Sequence, residues 1–76
     1  MKMVKVYTTS TCPYCTMLKN FLNDQEIAYE EINLQQRPDM VDYVMKSTGN
    51  LGVPQTEING QWVIGFDPNQ IMALVK

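Results

Sequence analysis

The chain has 76 residues, of which 45% are hydrophobic and 18% are charged, and its formal net charge is −2 at pH 7. This length holds a single domain, residues 1–76, and the hydrophobic content is what a compact fold with a modest core requires. The six basic residues are scattered, which argues against nucleic acid or an anionic membrane as a partner. No apolar run is long enough for a signal peptide or a membrane span, so we expect a cytoplasmic protein.

The chain opens with a predicted strand followed by a predicted helix. Met3–Thr8 is rich in β-branched and aromatic residues, which favours a strand, and residues 9–11 interrupt it. Pro13 suits the first position of a helix, because its fixed φ helps there and its missing N–H costs little. This helix ends near residues 23 and 24. Apolar residues recur at helical spacing from Cys15 onwards, namely Leu18, Phe21 and Leu22.

Cys12 and Cys15 are the only cysteines, and two residues separate them. This spacing brings both sulfurs within reach of each other across the first turn of a helix, so that a disulfide can close and reopen. The start of a helix offers free backbone amides and the positive end of the helix dipole, which favour a thiolate. We predict thiol–disulfide exchange, with Cys12 at the exposed tip as the nucleophile and the inward-facing Cys15 as the resolving thiol. Lys19 is expected to be a solvated charge.

Two other uses of a close cysteine pair are open. A structural disulfide would not persist in a reducing compartment, which favours a redox-active pair. A CxxC motif is also half of many zinc sites, but the chain has no histidine and no further cysteine. Only two copies together, or added ligands such as glutathione, would then complete a zinc or iron–sulfur site. We therefore expect no bound metal or cofactor, and a monomer.

The middle of the chain predicts a second strand and a second helix. Residues 27–33 predict a strand that runs parallel to the first, because a helix connects the two. Arg37 and Pro38 restart a helix, which ends close to Gly49. We expect its buried stripe, and the methionines in general, to fill the core. The stripe consists of Met40, Val41, Val44 and Met45.

The last third predicts a hairpin and a final helix. Asn59-Gly60 is a strong hairpin signal between strands at 55–58 and 61–64. Asp67, Pro68 and Gln70 supply an N-cap, a first-turn proline and the third position of a capping box. The inward face of this helix is formed by Ile71, Leu74 and Val75. The predicted order is β-α-β-α-β-β-α, an α/β fold with a mixed four-stranded sheet flanked by three helices.

A strand, then Cys-Pro-Tyr-Cys at a helix start, then Gly52-Val53-Pro54 ahead of a hairpin resembles the glutaredoxins, small members of the thioredoxin superfamily. The resemblance covers residues 3–75 and implies a thioredoxin-like fold and a dithiol oxidoreductase that reduces protein or mixed disulfides. It also implies that Pro54 is cis and faces the active-site sulfur. The backbone N–H and C=O of Val53 would then pair with an extended substrate as an added strand. Pro13 and Tyr14 would line the same groove.

The chain departs from glutathione-using glutaredoxins at two points. Those proteins resemble one another in placing a lysine or arginine shortly before the CxxC, where this chain has only Thr and Ser at residues 8–11. They also carry Gly-Gly before an acidic residue, where this chain has Gly65-Phe66-Asp67, the candidate substrate-binding residues of this region. We expect Asp67 to cap its helix, with glutathione binding as the alternative. For Arg37 we give equal weight to two roles: a solvated charge, and the partner of a glutathione carboxylate.

The Gly65-Phe66-x-Pro68 pattern, with Trp62 upstream, resembles the hydrogen-donor redoxins that serve ribonucleotide reductase and take electrons from thioredoxin reductase. Their residues between the cysteines usually differ from Pro-Tyr. The electron donor is therefore glutathione, as a co-substrate, or thioredoxin reductase, and we expect weak use of glutathione. The alternatives to a general glutaredoxin-like enzyme are a dedicated hydrogen donor and a dimeric metal or iron–sulfur scaffold.

Overall fold

A computed structural model describes residues 3–75, and seven elements alternate along them in the predicted order. The strands are β1 (Val4–Thr8), β2 (Glu30–Asn33), β3 (Gln55–Ile58) and β4 (Gln61–Ile64), and the helices are α1 (Pro13–Asp24), α2 (Asp39–Thr48) and α3 (Pro68–Val75). One sheet contains the strands in the order β2-β1-β3-β4. β1 is parallel to β2, and both other pairs are antiparallel, so the predicted mixed sheet is confirmed.

The two faces of the sheet carry separate apolar cores. Side chains alternate along a strand, so Val4 and Val6 of β1 lie on one face and Tyr7 lies on the other. The first face packs against α1 and α3 through Leu18, Leu22, Ile58, Val63 and Ile71. The second packs against α2 through Ile32, Leu34 and Val44. The helices thus cover both faces of a small sheet.

Tyr7 combines a buried ring with a satisfied hydroxyl on the α2 face. Its hydroxyl donates to Glu57 Oε1 at 2.9 Å, and Tyr43 donates to the other oxygen of the same carboxylate at 2.5 Å. The Trp62 ring stacks on Tyr7 with 5.2 Å between ring centroids. Burial and the neighbouring carboxylate both raise the pKa of Tyr7 above its ordinary value. The phenol therefore stays neutral. Through these contacts the cluster joins β1, β3, β4 and α2.

Three element boundaries differ from the sequence prediction. β1 begins at Val4 rather than Met3, and α2 begins at Asp39, with Pro38 in the cap position. β2 begins at Glu30 rather than at residue 27, because the preceding residues close the end of α1. The Ile27 N–H donates to the Leu22 carbonyl at 2.9 Å across a left-handed residue with φ of 57° at position 26.

The predicted burial of Met45 is wrong. Val44 is fully buried and Met40 and Val41 are half-buried, whereas Met45 is 44% exposed. Met45 lies one residue beyond Val44, which is about 100° around an α-helix, so it leaves the buried stripe. Met3 and Met17 are also exposed, so most of the methionines that the structure describes do not fill the core.

The hairpin is confirmed with its predicted strand ends. Asn59 and Gly60 join β3 to β4 with φ values of 51° and 81°. A two-residue hairpin turn with both central residues in the left-handed region matches the twist of the flanking strands, and Asn-Gly tolerates it best. This tight turn sends β4 back along β3, so that the end of β4 lies beside the beginning of β3.

Candidate active site

Strand register brings three loops to one edge of the sheet. Tyr7 near the end of β1 is opposite Gln55 at the start of β3, and Gln55 is opposite Ile64 at the end of β4. The segments beyond these residues therefore lie side by side, and we call them together the cysteine edge: residues 9–13, 52–54 and 65–67. The Gly65 N–H donates to the Pro54 carbonyl at 2.8 Å, which joins two of these segments directly.

The cysteine pair lies at the start of α1, as predicted. Cys12 occupies the N-cap with extended backbone, Pro13 follows in the first turn, and the two cysteine Cα atoms are 5.2 Å apart with their sulfurs at disulfide distance. Cys15 is only 2% exposed, whereas Cys12 is partly exposed. Solvent therefore reaches Cys12 more readily than Cys15. The inward position of Cys15 is confirmed, whereas Cys12 at the start of the helix is half-buried rather than exposed.

Backbone groups favour negative charge on the Cys12 sulfur. The N–H of Cys15 donates to Cys12 Sγ at 3.1 Å. No acidic residue lies in the first turn of α1, so no carboxylate there opposes the positive end of the helix dipole. An N–H donor and the positive end of a helix dipole both stabilise a thiolate at this position. This arrangement suits Cys12 to nucleophilic attack.

Lys19 is not the solvated charge expected from the sequence. Its Nζ lies 3.0 Å from Glu31 Oε2, and the hydroxyl of Thr8 donates to the same oxygen at 2.9 Å. Partial burial raises the pKa of Glu31, but the hydrogen bonds from Lys19 and Thr8 outweigh it and leave that pKa below its ordinary value. The sequence did not show this pair because Lys19 and Glu31 lie on different elements, 12 residues apart.

The bond between Val53 and Pro54 is cis, as the resemblance implied. Pro54 is buried and Val53 is half-buried. Across residues 3–75, neither the N–H nor the C=O of Val53 takes part in a hydrogen bond. Both backbone groups are thus free to bind an extended chain at the cysteine edge.

Tyr14, Gly65 and Phe66, three residues of the predicted site, have different environments. Tyr14 is 61% exposed beside the cysteines. Gly65 has a φ of 82°, a left-handed conformation that favours glycine, and it donates to the loop of Pro54. The Phe66 ring packs edge-on against Phe21 with 6.3 Å between centroids and joins the core under α1 and α3. Phe66 therefore anchors its loop through the core.

Asp67 and Arg37 each have a partner within the chain. Asp67 Oδ1 accepts a hydrogen bond from the Gln70 N–H at 3.2 Å, which confirms the predicted N-cap of α3. Arg37 lies in the turn before α2, and its guanidinium is 3.3 Å from Asp39 Oδ2. That carboxylate raises the pKa of Arg37 and is exposed with it. The structure thus supplies an internal partner for the side chain that was a candidate for binding a glutathione carboxylate.

Sequence reasoning missed the polar side chains that hold the loops of the cysteine edge. The Ser10 N–H donates to Gln35 Oε1 at 3.0 Å, and Asn33 Nδ2 donates to Ser10 Oγ at 3.1 Å. These bonds tie the loop before Cys12 to the turn before α2. Isolated Ser, Asn and Gln residues carry no pattern in the sequence, so only their arrangement in space reveals the contacts.

Metal-binding clusters and membrane-spanning helices are both absent from the described part of the chain. No cluster of three or more His, Cys, Asp or Glu residues suitable for a metal ion occurs among them. None of the helices there combines the length and the apolar character needed to cross a membrane.

Comparisons with known proteins find similarity to glutaredoxins and glutaredoxin-like proteins. The glutaredoxin family model matches residues 4–63. The glutaredoxin-like protein NrdH of Lactococcus lactis is 33% identical over 72 residues, which cover 95% of this chain and 99% of the relative. Glutaredoxin 3 of Escherichia coli is 31% identical over 64 residues, 84% of this chain and 77% of the relative.

The structural comparison gives the same fold. The crystal structure of a glutaredoxin from Archaeoglobus fulgidus superposes with a TM-score of 0.86 and 25% sequence identity, covering 100% of this chain and 88% of that one. The thioredoxin-like α/β fold that the sequence implied is confirmed.

Proposed function

Because the chain belongs to the glutaredoxin family and is a thiol–disulfide oxidoreductase with a Cys12–Cys15 pair, we propose that Cys12 is its nucleophile. The Cys12 thiolate attacks one sulfur of a substrate disulfide, forms a mixed disulfide and expels the other sulfur as a thiolate. Cys15, after losing its proton, then attacks the Cys12 sulfur and releases the second substrate thiol. The substrate gains two electrons and the enzyme keeps the Cys12–Cys15 disulfide. The observation that carries this assignment is the hydrogen bond from the Cys15 N–H to Sγ of Cys12, which is half-buried whereas Cys15 is buried.

The proposed substrate is a disulfide within an extended peptide segment. The unpaired backbone N–H and C=O of Val53 support this, since they can accept a substrate as an added β-strand next to Cys12. Pro54 has no N–H, so it adds no donor that would compete with Val53. Pro13 and the exposed Tyr14 of α1, together with Gly65, which donates to the Pro54 carbonyl, are proposed to line the place of this added strand.

Glutathione is proposed to be a weak electron donor, and a thioredoxin-reductase-type flavoprotein an effective one. Glutathione carries carboxylates, which a site binds best with unpaired cations. Lys19 is held by Glu31 and Arg37 is held by Asp39, and neither side chain is unpaired in this structure. Asp67 caps α3 and is likewise engaged. These pairings support the weak binding of glutathione that the departures in the sequence predict.

Both glutaredoxins and NrdH-like proteins are among the relatives, so the partners of this chain could be those of either group. A dedicated hydrogen donor for ribonucleotide reductase is the second candidate function, supported by the full-length similarity to the NrdH protein and by the Gly65-Phe66-x-Pro68 pattern. In that case one protein disulfide would be reduced far faster than others. We propose a cytoplasmic monomer for either function.

One preparation assayed with two donors tests the proposal. Turnover of a peptide disulfide is followed with glutathione plus glutathione reductase, and separately with thioredoxin reductase, both read through NADPH oxidation. We expect measurable but weak turnover with glutathione and a kcat/KM about tenfold higher with thioredoxin reductase, a difference of about 1.4 kcal/mol. Efficient, saturable turnover with glutathione that Arg37→Ala abolishes, together with no activity from thioredoxin reductase, would overturn the donor assignment.

A further inference from the structure

The loop that delivers Val53 to the cysteine edge is held by a buried side chain. Gln55, the first residue of β3, is fully buried, and its side chain reaches back to the loop. Its Nε2 donates to the Asn50 carbonyl at 2.6 Å and to the Gly52 carbonyl at 2.8 Å. Both N–H groups of the amide are thus directed to carbonyls of the loop that precedes Val53.

Asn50 closes the same loop from its exposed side. Its Oδ1 accepts the Gly52 N–H at 2.6 Å, and its own N–H donates to Thr48 Oγ1 at 3.2 Å at the end of α2. A Cβ added to Gly52 would lie 3.0 Å from Asn50 Oδ1, closer than ordinary van der Waals contact. The backbone of this loop is therefore compact and is fixed at both ends.

The orientation of the Gln55 amide follows from its partners. Backbone carbonyl oxygens can only accept hydrogen bonds, so the group that faces them is the NH2. The opposite atom, Oε1, is buried and has no hydrogen-bond partner among residues 3–75. Burying an unpaired carbonyl is unfavourable, and an apolar side chain at this position would avoid that cost. The glutamine amide donates two hydrogen bonds to the loop, whereas an apolar side chain could donate none.

We propose that Gln55 and Asn50 are positioning residues, which hold the Val53 backbone in the orientation that pairs with an extended peptide disulfide. This inference rests on the proposed function. Val53 directly follows Gly52, whose N–H and C=O are held by the side chains of Asn50 and Gln55, and only Pro54 lies between Val53 and Gln55. Loss of these hydrogen bonds lets the Val53 backbone adopt other orientations, and the cost of ordering it again opposes the binding of a peptide. A small disulfide with no backbone to pair does not use Val53.

Gln55→Met tests this role, because methionine is of similar size but cannot donate a hydrogen bond. Reduced protein is mixed with a disulfide-linked extended peptide, and separately with bis(2-hydroxyethyl) disulfide, and oxidation is followed as a function of disulfide concentration. For the peptide we expect the half-saturating concentration to rise about tenfold, with the limiting rate changed by less than about twofold. For the small disulfide we expect the rate to change by less than about twofold.

Thr56→Val is the matched control. Thr56 is the next residue of β3, is equally buried, has an unpaired Oγ1, and lies on the opposite face of the sheet. It should leave both reactions unchanged. Asn50→Ala loosens the same loop at an exposed position, so it decides the question if Gln55→Met does not fold. We expect it to raise the half-saturating peptide concentration about threefold.

The outcomes separate the inference from the function beneath it. Equal losses with both disulfides in folded Gln55→Met protein, or unchanged peptide saturation in folded Gln55→Met, overturn the positioning role while Cys12 chemistry stands. Unchanged peptide saturation in Asn50→Ala overturns it when Gln55→Met is unfolded. Wild-type protein that reacts with neither disulfide would instead overturn the proposed function.

Discussion

Replacing Asp67 with alanine should weaken the first turn of α3 without touching the exchange chemistry. The Asp67 carboxylate accepts one hydrogen bond, from the Gln70 N–H, and the first turn of α3 itself contains no acidic residue. Asp67→Ala thus removes both the cap and the negative charge that Asp67 places at the start of this helix. The backbone bond from the Ile71 N–H to the Asp67 carbonyl does not depend on the side chain and remains.

The magnitude follows from the geometry of this cap. Loss of an N-cap costs about 0.5 to 2 kcal/mol, and a 3.2 Å bond between exposed groups places Asp67→Ala in the lower half of that range, about 1 kcal/mol. For a domain of this size the midpoint of thermal unfolding should fall by about 4 to 8 °C. Asp67→Asn keeps an acceptor and loses only the interaction with the helix dipole, about 0.3 to 1 kcal/mol at low salt.

Thermal and urea unfolding followed by circular dichroism measure both variants, and disulfide exchange with glutathione is measured on the same preparations. The expected order of stability is wild type, then Asn, then Ala, with similar glutathione-dependent rates in all three. Adding salt should narrow the gap between wild type and Asp67→Asn, because the dipole interaction is screened. Unchanged stability together with a collapse of the glutathione-dependent rate would refute the cap and make Asp67 a ligand residue.

Three further predictions concern separate parts of the molecule. Because the folded-state pKa of Glu31 is lowered, its contribution to stability is present above the ordinary carboxyl pKa and is lost as the pH falls through the folded value. Urea unfolding of Glu31→Gln between pH 7 and 3 should therefore show a flatter acid limb than wild type, and equal slopes would contradict the pairing. Gly60→Ala, at a φ of 81° with open space around it, should cost about 1 to 2 kcal/mol of unfolding free energy, and no loss would exclude backbone strain. Tyr14→Ala should change stability by less than about 0.5 kcal/mol but lower kcat/KM for a peptide disulfide about threefold to tenfold, and an unaltered kcat/KM would remove Tyr14 from the groove.

The elements with strong local signals were predictable from the sequence. The hairpin strands follow from Asn59-Gly60, and the start of α3 follows from its cap and proline. The tip position of Cys12 and the burial of Cys15 follow from helical spacing. The start of β2 was not predictable, because a left-handed residue at Glu26 closes α1, and glutamate carries no signal for that conformation.

The site was predictable only in its cysteines and, through family resemblance, in its cis proline. Lys19 looks like a solvated charge in the sequence, because its partner Glu31 comes near only when α1 packs against β2. Arg37 pairs with Asp39, which is only two residues away, and both side chains stay exposed. Met45 shows the limit of periodicity, since one residue of drift moves a side chain from the buried stripe to solvent. Gln55 gave no signal at all, because a glutamine in a strand is unremarkable until its amide is seen to meet two loop carbonyls.

Alkylation of the reduced protein tests the assignment of the nucleophile most directly. Fully reduced wild-type protein is treated with limiting iodoacetamide at neutral pH, and the modified cysteine is located by peptide mass spectrometry over time. Cys12 should be labelled first, because this residue is only half-buried and its sulfur accepts the Cys15 N–H, whereas Cys15 is 2% exposed. Faster labelling of Cys15, or a Cys12→Ser variant that keeps dithiol-dependent reductase activity, would contradict the role of Cys12 as the attacking thiolate.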